Sequence, residues 1–230
     1  MQPIEEMQEY YGKRAEVYDV SMGYTDSQTV ERLAPVIDAI RKVLQGKSVL
    51  EIACGPCFWT SQITSAAKSI MATDYNHSTL EVARRKSLNW AKLTLQVADA
   101  YNLPSFPMVL DAAMAVDWFA HVPRSRFDEF LGNLHRSLTS NAVVVFCDQL
   151  PGAQSLTDLR DSEGNHIQER ILPDGSRYRV IKHFLTDAEY RSILSPHASD
   201  IMIQHFPECR RVVVSYRLKG EPDCVDHVER

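Results

Sequence analysis

Residues 49 to 74 constrain the fold of this chain more than any other stretch. Val49-Leu50-Glu51-Ile52-Ala53 is an apolar run of strand length. It ends in the small-residue turn Cys54-Gly55-Pro56-Cys57, and a helix-compatible segment follows from Phe58. That is the outline of a strand feeding a nucleotide-binding loop and then a helix N-terminus. A second apolar run, Ile70-Met71-Ala72-Thr73, ends at Asp74. An acidic residue at the tip of the next strand, about 20 residues beyond such a loop, is placed to hold a ribose diol.

The same tetrapeptide admits a second reading. Cys54-Gly55-Pro56-Cys57 is a C-x-x-C of the kind that serves as a redox dithiol, where a helix N-terminus lowers the pKa of the first sulfur. The residue before a thioredoxin-type dithiol is usually Trp, and here it is Ala53. A redox module uses Cys54 and Cys57 alone. A cofactor loop uses Glu51, Gly55 and Asp74 together, and that is the reading followed below.

The remainder of the chain alternates strand-like and helix-like segments. Tyr11, Ala15 and Tyr18 recur at helical spacing within residues 5 to 20, giving one apolar and one charged face. Such a helix either packs its tyrosines on the core or lies over the pocket as a lid. Val30, Leu33, Ala34, Ile37, Ile40 and Leu44 mark an amphipathic helix from Asp26 to Leu44, with Gly46 placed to end it. Pro35 within it predicts a kink or break. Strands are expected at 48–53, 69–73, 93–98, 110–116 and 142–147, with helices at 58–66, from His77, and at 124–138. Ser78 and Glu81 stand at capping-box spacing. The fifth strand is Val-rich, as suits a central parallel strand covered on both faces.

Beyond residue 150 the pattern changes. Segments 166–172 and 177–181 flank Pro173-Asp174-Gly175-Ser176 and predict a β-hairpin. Thr186-Asp187-Ala188-Glu189 is a second capping box, opening a helix to about Leu194. Two last strands, 200–204 and 209–218, close the sheet edge, and the polar tail after Lys219 is expected to be mobile. The sequence contains no repeat or linker, so one domain is expected: an α/β, doubly wound, mostly parallel seven-stranded (Rossmann-like) sheet with an N-terminal helical lid and a hairpin inserted after the fifth strand. The lid and N-terminal helices occupy 1–45, the cofactor-binding core 46–150, the hairpin cover 151–185, the C-terminal helix and strands 186–219, and the tail 220–230.

The chain is 230 residues long, enough for such a domain with a substantial core. Its net charge of −5 argues against a general nucleic-acid binder. No apolar run has the length of a membrane span, and the acidic start Met1-Gln2-Pro3-Ile4-Glu5-Glu6 is unlike a signal peptide. Five cysteines without regular spacing do not make a disulfide framework, so a reduced, cytoplasmic setting is expected.

At Glu51-Ile52-Ala53-Cys54-Gly55-Pro56-Cys57 the sequence resembles the first motif of the class I S-adenosylmethionine-dependent methyltransferases, in which an acidic residue is followed by a glycine loop. The resemblance covers residues 10 to 150 well. The family's second loop glycine is Cys57 here, so the turn must accommodate a Cβ. No Asn-Pro-Pro-Tyr or Asp-Pro-Pro-Tyr follows the fourth strand, unlike the enzymes that methylate amino groups of nucleic-acid bases or protein glutamines. Tyr10-Tyr11, Arg14-Ala15 and Tyr18-Asp19 are similar to the N-terminal helix of small-molecule members related to quinone-pathway enzymes.

The resemblance implies S-adenosyl-L-methionine as cofactor, held by Glu51, Ala53, Cys54, Gly55, Asp74, Tyr75, Asp99, Ala100, Asp117, Tyr11 and Arg14. Asp74 would take the ribose hydroxyls, and Asp99 would lie beside the adenine. His121, just past a strand C-terminus, is the candidate base, with Asp117 to orient it or cap the next helix. The acceptor would meet Tyr10, Tyr18, Tyr24, Trp118, His121, Gln149, Tyr178 and His183, with Phe184 and Asp148 nearby. No metal ligand set is expected. The implied function is methyl transfer to oxygen or nitrogen of a small, aromatic or heteroaromatic molecule. The alternatives are carbon methylation of a quinone-like ring, a dithiol redox protein, and a binding module without turnover. Expected partners are a small-molecule acceptor and at most a second copy of the chain, with neither nucleic acid nor membrane.

Overall fold

A computed structural model describes residues 3–152 and 159–219. The chain begins with helix α1 (Pro3–Arg14), a 3-10 turn over Ala15–Val17, and a short helix α2 (Tyr18–Ser21). Helix α3 (Ser27–Leu44) follows, N-capped by Asp26, whose side chain accepts from Thr29 N at 2.8 Å. Its Leu33, Val36, Ile37, Ile40 and Leu44 are buried at the spacing of one helical face. The break expected at Pro35 does not occur: α3 runs through it. Pro35 is exposed, and so is Glu31, whose carbonyl loses its helical partner and can be solvated instead.

Strands β1 (Ser48–Ile52), β2 (Ser69–Asp74), β3 (Leu93–Val97), β4 (Ala112–Val116) and β5 (Val143–Gln149) alternate with helices α4 (Phe58–Ile63), α5 (His77–Arg84) and α6 (Phe127–Arg136). Helix α7 (Asp187–Leu194), β8 (Ala198–Phe206) and β9 (Arg211–Leu218) complete the main layer. The seven-stranded sheet has the order β3-β2-β1-β4-β5-β9-β8. The pairings among β1 to β5 are parallel, and β9 lies antiparallel to both β5 and β8. Every residue of β4, and all but the last of β5, is buried, because helices cover both faces. Val36, Ile40, Trp59, Ile63 and Leu80 pack on one face. Phe119, Phe130, Leu134, Tyr190 and Leu194 pack on the other.

The two sequence-level capping boxes have different fates. At Thr186 the box forms: Oγ1 accepts from Glu189 N at 3.2 Å while the Glu189 carboxylate accepts from Thr186 N at 2.9 Å. At Ser78 it does not. There Asn76 occupies the N-cap, Ser78 Oγ donates to the Gly12 carbonyl of α1, and Glu81 pairs with Arg84. The carboxylate of Asp74 accepts from Asn76 N and so sets where α5 begins.

Strands β6 (Ile167–Ile171) and β7 (Arg177–Ile181) form a separate antiparallel pair. Gly175 has φ 83°, the left-handed conformation that their tight turn requires. Helix α1 lies on this hairpin: Met7 and Tyr10 pack with Leu172, Tyr178 and Val180, and Glu6 pairs with Arg179. The lid expected at the N-terminus and the cover expected from the hairpin are thus one packed unit. The tail expected over 220–230 lies outside the described residues. Among the described residues, no helix is long and apolar enough to cross a membrane.

Candidate active site

The order of the strands reverses between β1 and β4, where an open α/β sheet leaves a crevice at its carboxyl ends. A cleft occupies this position, bounded by the ends of β1, β2 and β4 and by Ile4, Met7, Gln8 and Tyr11 of α1. At its floor, Asp74 Oδ2 accepts from Gly55 N at 3.0 Å and Oδ1 from Asn76 N at 2.9 Å. Burial raises this carboxyl to about 6 against the opposing pull of the two backbone donors. The loop above is wound through left-handed conformations, with φ of 50° at Ala53, 57° at Gly55 and 65° at Cys57. A Cβ on Gly55 would meet only the Tyr18 ring, 4.0 Å away, so its backbone angle rather than space favours glycine. Cys57 adopts with a side chain the conformation that the missing second glycine would take, at roughly 1–2 kcal/mol.

The inner end of the cleft is polar. His121, 4% exposed, donates from Nδ1 to the Ile181 carbonyl, and its Nε2 lies 3.0 Å from Tyr11 Oη. Burial, reinforced by the nearby Lys182 ammonium, lowers the imidazole to about 3, so it is neutral at physiological pH. Burial likewise raises the Tyr11 phenol well above its ordinary value. The partners therefore assign the proton on Nδ1 and make Tyr11 the donor to Nε2.

Beside this pair Asp117 Oδ1 meets Arg211 Nη1 at 2.6 Å, with both side chains about 93–94% buried. Burial opposes ionisation of Asp117, but Arg211 and then Lys182 outweigh it and hold the carboxyl below its ordinary value. Arg211 is braced by Tyr24 Oη, which also receives Trp59 Nε1 at 3.0 Å. Asp117 Oδ2, Trp118 Nε1, Tyr101 Oη and Thr79 Oγ1 are buried without a hydrogen-bond partner among the described residues. All four belong to residues that line the cleft, so they are polar atoms available to a ligand.

Of the residues singled out in the sequence, Tyr11, Tyr18, Ala53, Gly55, Asp74, Tyr75, Asp99, Ala100, Asp117, Trp118 and His121 line this one cleft. The others lie elsewhere. Glu51 is buried on β1, and burial raises its carboxyl well above the ordinary range. Cys54 and Cys57 are free thiols in the core with Trp59, turned from the cleft. Burial raises Cys54, whereas Cys57 is lowered by a hydrogen bond from Cys54. Arg14 lies over the rings of Tyr10 and Tyr18 and donates to Ser21.

Of the aromatic pocket expected from Tyr10, Tyr11, Tyr18, Tyr24, Trp118, Tyr178 and Phe184, the rings of Tyr10, Tyr24 and Tyr178 pack against one another and their neighbours and do not line the cleft. Tyr24 stacks on Phe58 at 3.9 Å, and Tyr10 packs on Tyr178 at 5.8 Å between centroids. Gln149 lines a separate recess with Arg210. His183 is buried beside Phe127 and His166. Sequence reading missed Thr79, Asn76 and Tyr101, which line the cleft, and Lys182 and Arg211, which surround its inner end. The available signal was a cation adjoining an apolar run: Lys182 after Val180-Ile181, and Arg211 before Val212-Val213-Val214.

Residues 49–141 match the profile of a family described as a methyltransferase domain. Over 154 residues the chain is 25% identical to a demethylmenaquinone methyltransferase of Staphylococcus epidermidis. That match covers 60% of this chain and 62% of the relative, so the chain spans less than two thirds of the curated protein it matches. Among solved structures, a DhpI–SAM–HEP complex superposes with a TM-score of 0.76 at 26% identity, covering 94% of this chain and 97% of that one. A DhpI–SAH complex gives the same TM-score at 24% identity, covering 95% and 98%. Residues 49–141 thus match a methyltransferase domain, set in a seven-stranded sheet with a tight loop at its switch point and an acidic residue closing β2, and the whole chain is similar in fold to solved structures complexed with SAM or SAH.

Proposed function

We propose that the cleft binds S-adenosyl-L-methionine and that the protein transfers its methyl group to an oxygen or nitrogen of a small acceptor. The observation that carries this reading is the joining, in one cleft, of the Gly55–Asp74 cradle and the Tyr11–His121 pair. The residues present suit the cofactor. Asp74 offers a buried carboxylate to a diol, Asp99 lies at the neighbouring edge, and Asp117 Oδ2 is an unclaimed acceptor for an ammonium.

When bound, the sulfonium supplies an electrophilic methyl group and leaves as a neutral thioether. The chain has to align a nucleophile, exclude water and accept at most one proton. Helix α1 lines the cleft through Ile4, Met7, Gln8 and Tyr11 and would shield a bound ligand from water. Tyr11 presents its hydroxyl at the inner end, and an acceptor O–H or N–H placed against it can pass a proton through Tyr11 Oη to His121 Nε2. Ile181 fixes the imidazole tautomer that makes Nε2 the accepting atom. Asp117 is bound to Arg211 and acts on charge rather than as a base.

Calorimetric titration with S-adenosylhomocysteine tests the cofactor assignment. Binding by wild type that is lost in Asp74→Ala supports it, and no binding by folded wild type removes it. Likeness to a demethylmenaquinone methyltransferase favours, as a second reading, methylation of a ring carbon. Mapping the transferred methyl by NMR on any product separates carbon from oxygen or nitrogen.

A further inference from the structure

We infer that the acceptor carries an oxyanion, bound by Lys182 and Arg170 beside the Tyr11–His121 pair; this deepens the methyltransferase reading and rests on it. Lys182 follows β7. Alternation along the strand puts Tyr178, Val180 and Lys182 on one face, and the register Arg170↔Tyr178 and Gln168↔Val180 adds Arg170 to it. Tyr178 and Val180 pack on Met7 and Tyr10, so this is the face that α1 covers. The same turn of chain supplies the Ile181 carbonyl to His121, which ties the hairpin to the inner end of the cleft.

Lys182 is 2% exposed, and its ammonium, 5.8 Å from the centre of the Phe184 ring, makes no hydrogen bond and meets no carboxylate at ion-pair distance among the described residues. The carboxylates that attract it make no ion pair with it, although Asp117 Oδ2 is left without a hydrogen-bond partner among the described residues. Asp117 is held by Arg211 at 2.6 Å, and Asp148 accepts from Tyr190 Oη at 3.1 Å and from Ala120 N at 3.3 Å. Arg170 donates to a neutral partner, the Gln168 amide oxygen, at 2.5 Å. Lys182, Arg170 and Arg211 are thus three cations in a region served by the two carboxylates Asp117 and Asp148. Burial lowers the Lys182 ammonium below its ordinary range, and an anionic ligand would offset the cost of keeping it charged without an ion pair.

The position suits the reaction. His121 and Tyr11 both lie within the field of Arg170, and His121 within that of Lys182. That field disfavours a protonated imidazole. An anion seated on the two cations cancels it and makes His121 a better proton acceptor only when the acceptor is in place.

The test is calorimetric titration of inorganic phosphate and, separately, acetate into protein saturated with S-adenosylhomocysteine. The variants are Lys182→Met, Lys182→Arg and Arg170→Gln. Wild type is expected to bind one of the two anions in the millimolar range. Lys182→Met should weaken that binding by about tenfold or more, Arg170→Gln severalfold, and Lys182→Arg should largely keep it, all with S-adenosylhomocysteine affinity preserved. Phosphate alone identifies a tetrahedral oxyanion and acetate alone a carboxylate, and either supports the site. If neither anion binds to wild type, or the charge-removing variants bind as wild type does, the proposal is overturned. If Lys182→Met does not fold, Arg170→Gln, at a half-buried position, decides. Should S-adenosylhomocysteine fail to bind while phosphate still depends on Lys182, the methyltransferase reading fails and the anion site stands.

Discussion

The proposed role of Asp74 in holding the cofactor's ribose predicts that affinity depends on pH in a definite direction. In the free protein burial raises its carboxyl from 3.8 to about 6, although Gly55 N and Asn76 N both donate to it. A ribose diol donates to the ionised carboxylate, so binding selects the deprotonated form. Affinity for S-adenosylhomocysteine should be level above about pH 7 and fall as pH drops through 6. At about pH 5 only about one molecule in eleven is ionised, which is a loss of about tenfold, or ~1.4 kcal/mol. Stability of the free protein should move the other way. The folded pKa lies above the unfolded one, so this group's contribution is fully present below about pH 3.8 and is lost as pH rises through 6, by about 3 kcal/mol. Calorimetry from about pH 5 to 8, with Asp74→Asn alongside, checks both effects. The amide variant should bind more weakly by roughly 1.5–3 kcal/mol, without this pH dependence. A level wild-type profile, or the same slope in Asp74→Asn, would refute the assignment.

Arg211→Met leaves Asp117 buried and unpaired and should cost roughly 3–5 kcal/mol in urea denaturation; a loss below about 1 kcal/mol would mean that the pair is not the clamp described here. Tyr11→Phe removes the donor to His121, and turnover with any acceptor found should fall about 100-fold or more while S-adenosylhomocysteine still binds; unchanged turnover would take Tyr11 out of the proton path. Replacing both Cys54 and Cys57 with Ser should leave cofactor binding largely intact, as measured by the same titration, because both sulfurs face the core; a redox activity that this variant abolishes would revive the dithiol reading.

What the sequence determined by itself was local in origin. A strand long enough to be buried must be apolar, and a loop entering a helix must turn. The run 49–53, the small turn at 54–57 and the acid at 74 therefore announced β1, the cofactor loop and the tip of β2, and with them the parallel sheet. The capping box at Thr186 was legible for the same reason, since its partners lie within one turn of chain. Ser78 looked identical and was not a cap, because Gly12, far away in sequence, claimed its hydroxyl. The inner end of the cleft was decided only by tertiary structure. It joins Tyr11 to His121, His121 to Ile181, and Asp117 to Arg211 across 110, 60 and 94 positions of the chain. Aromatic residues showed the same limit: composition counted rings near the mouth, but packing spent Tyr10, Tyr24 and Tyr178 on their neighbours and left Tyr11, Tyr18 and Trp118 facing the cleft. Periodicity reports which face of an element is apolar. Which buried cation is left without a counter-charge depends on every element packed around it, and so Lys182 could be recognised only once the sheet, the hairpin and α1 had been brought together.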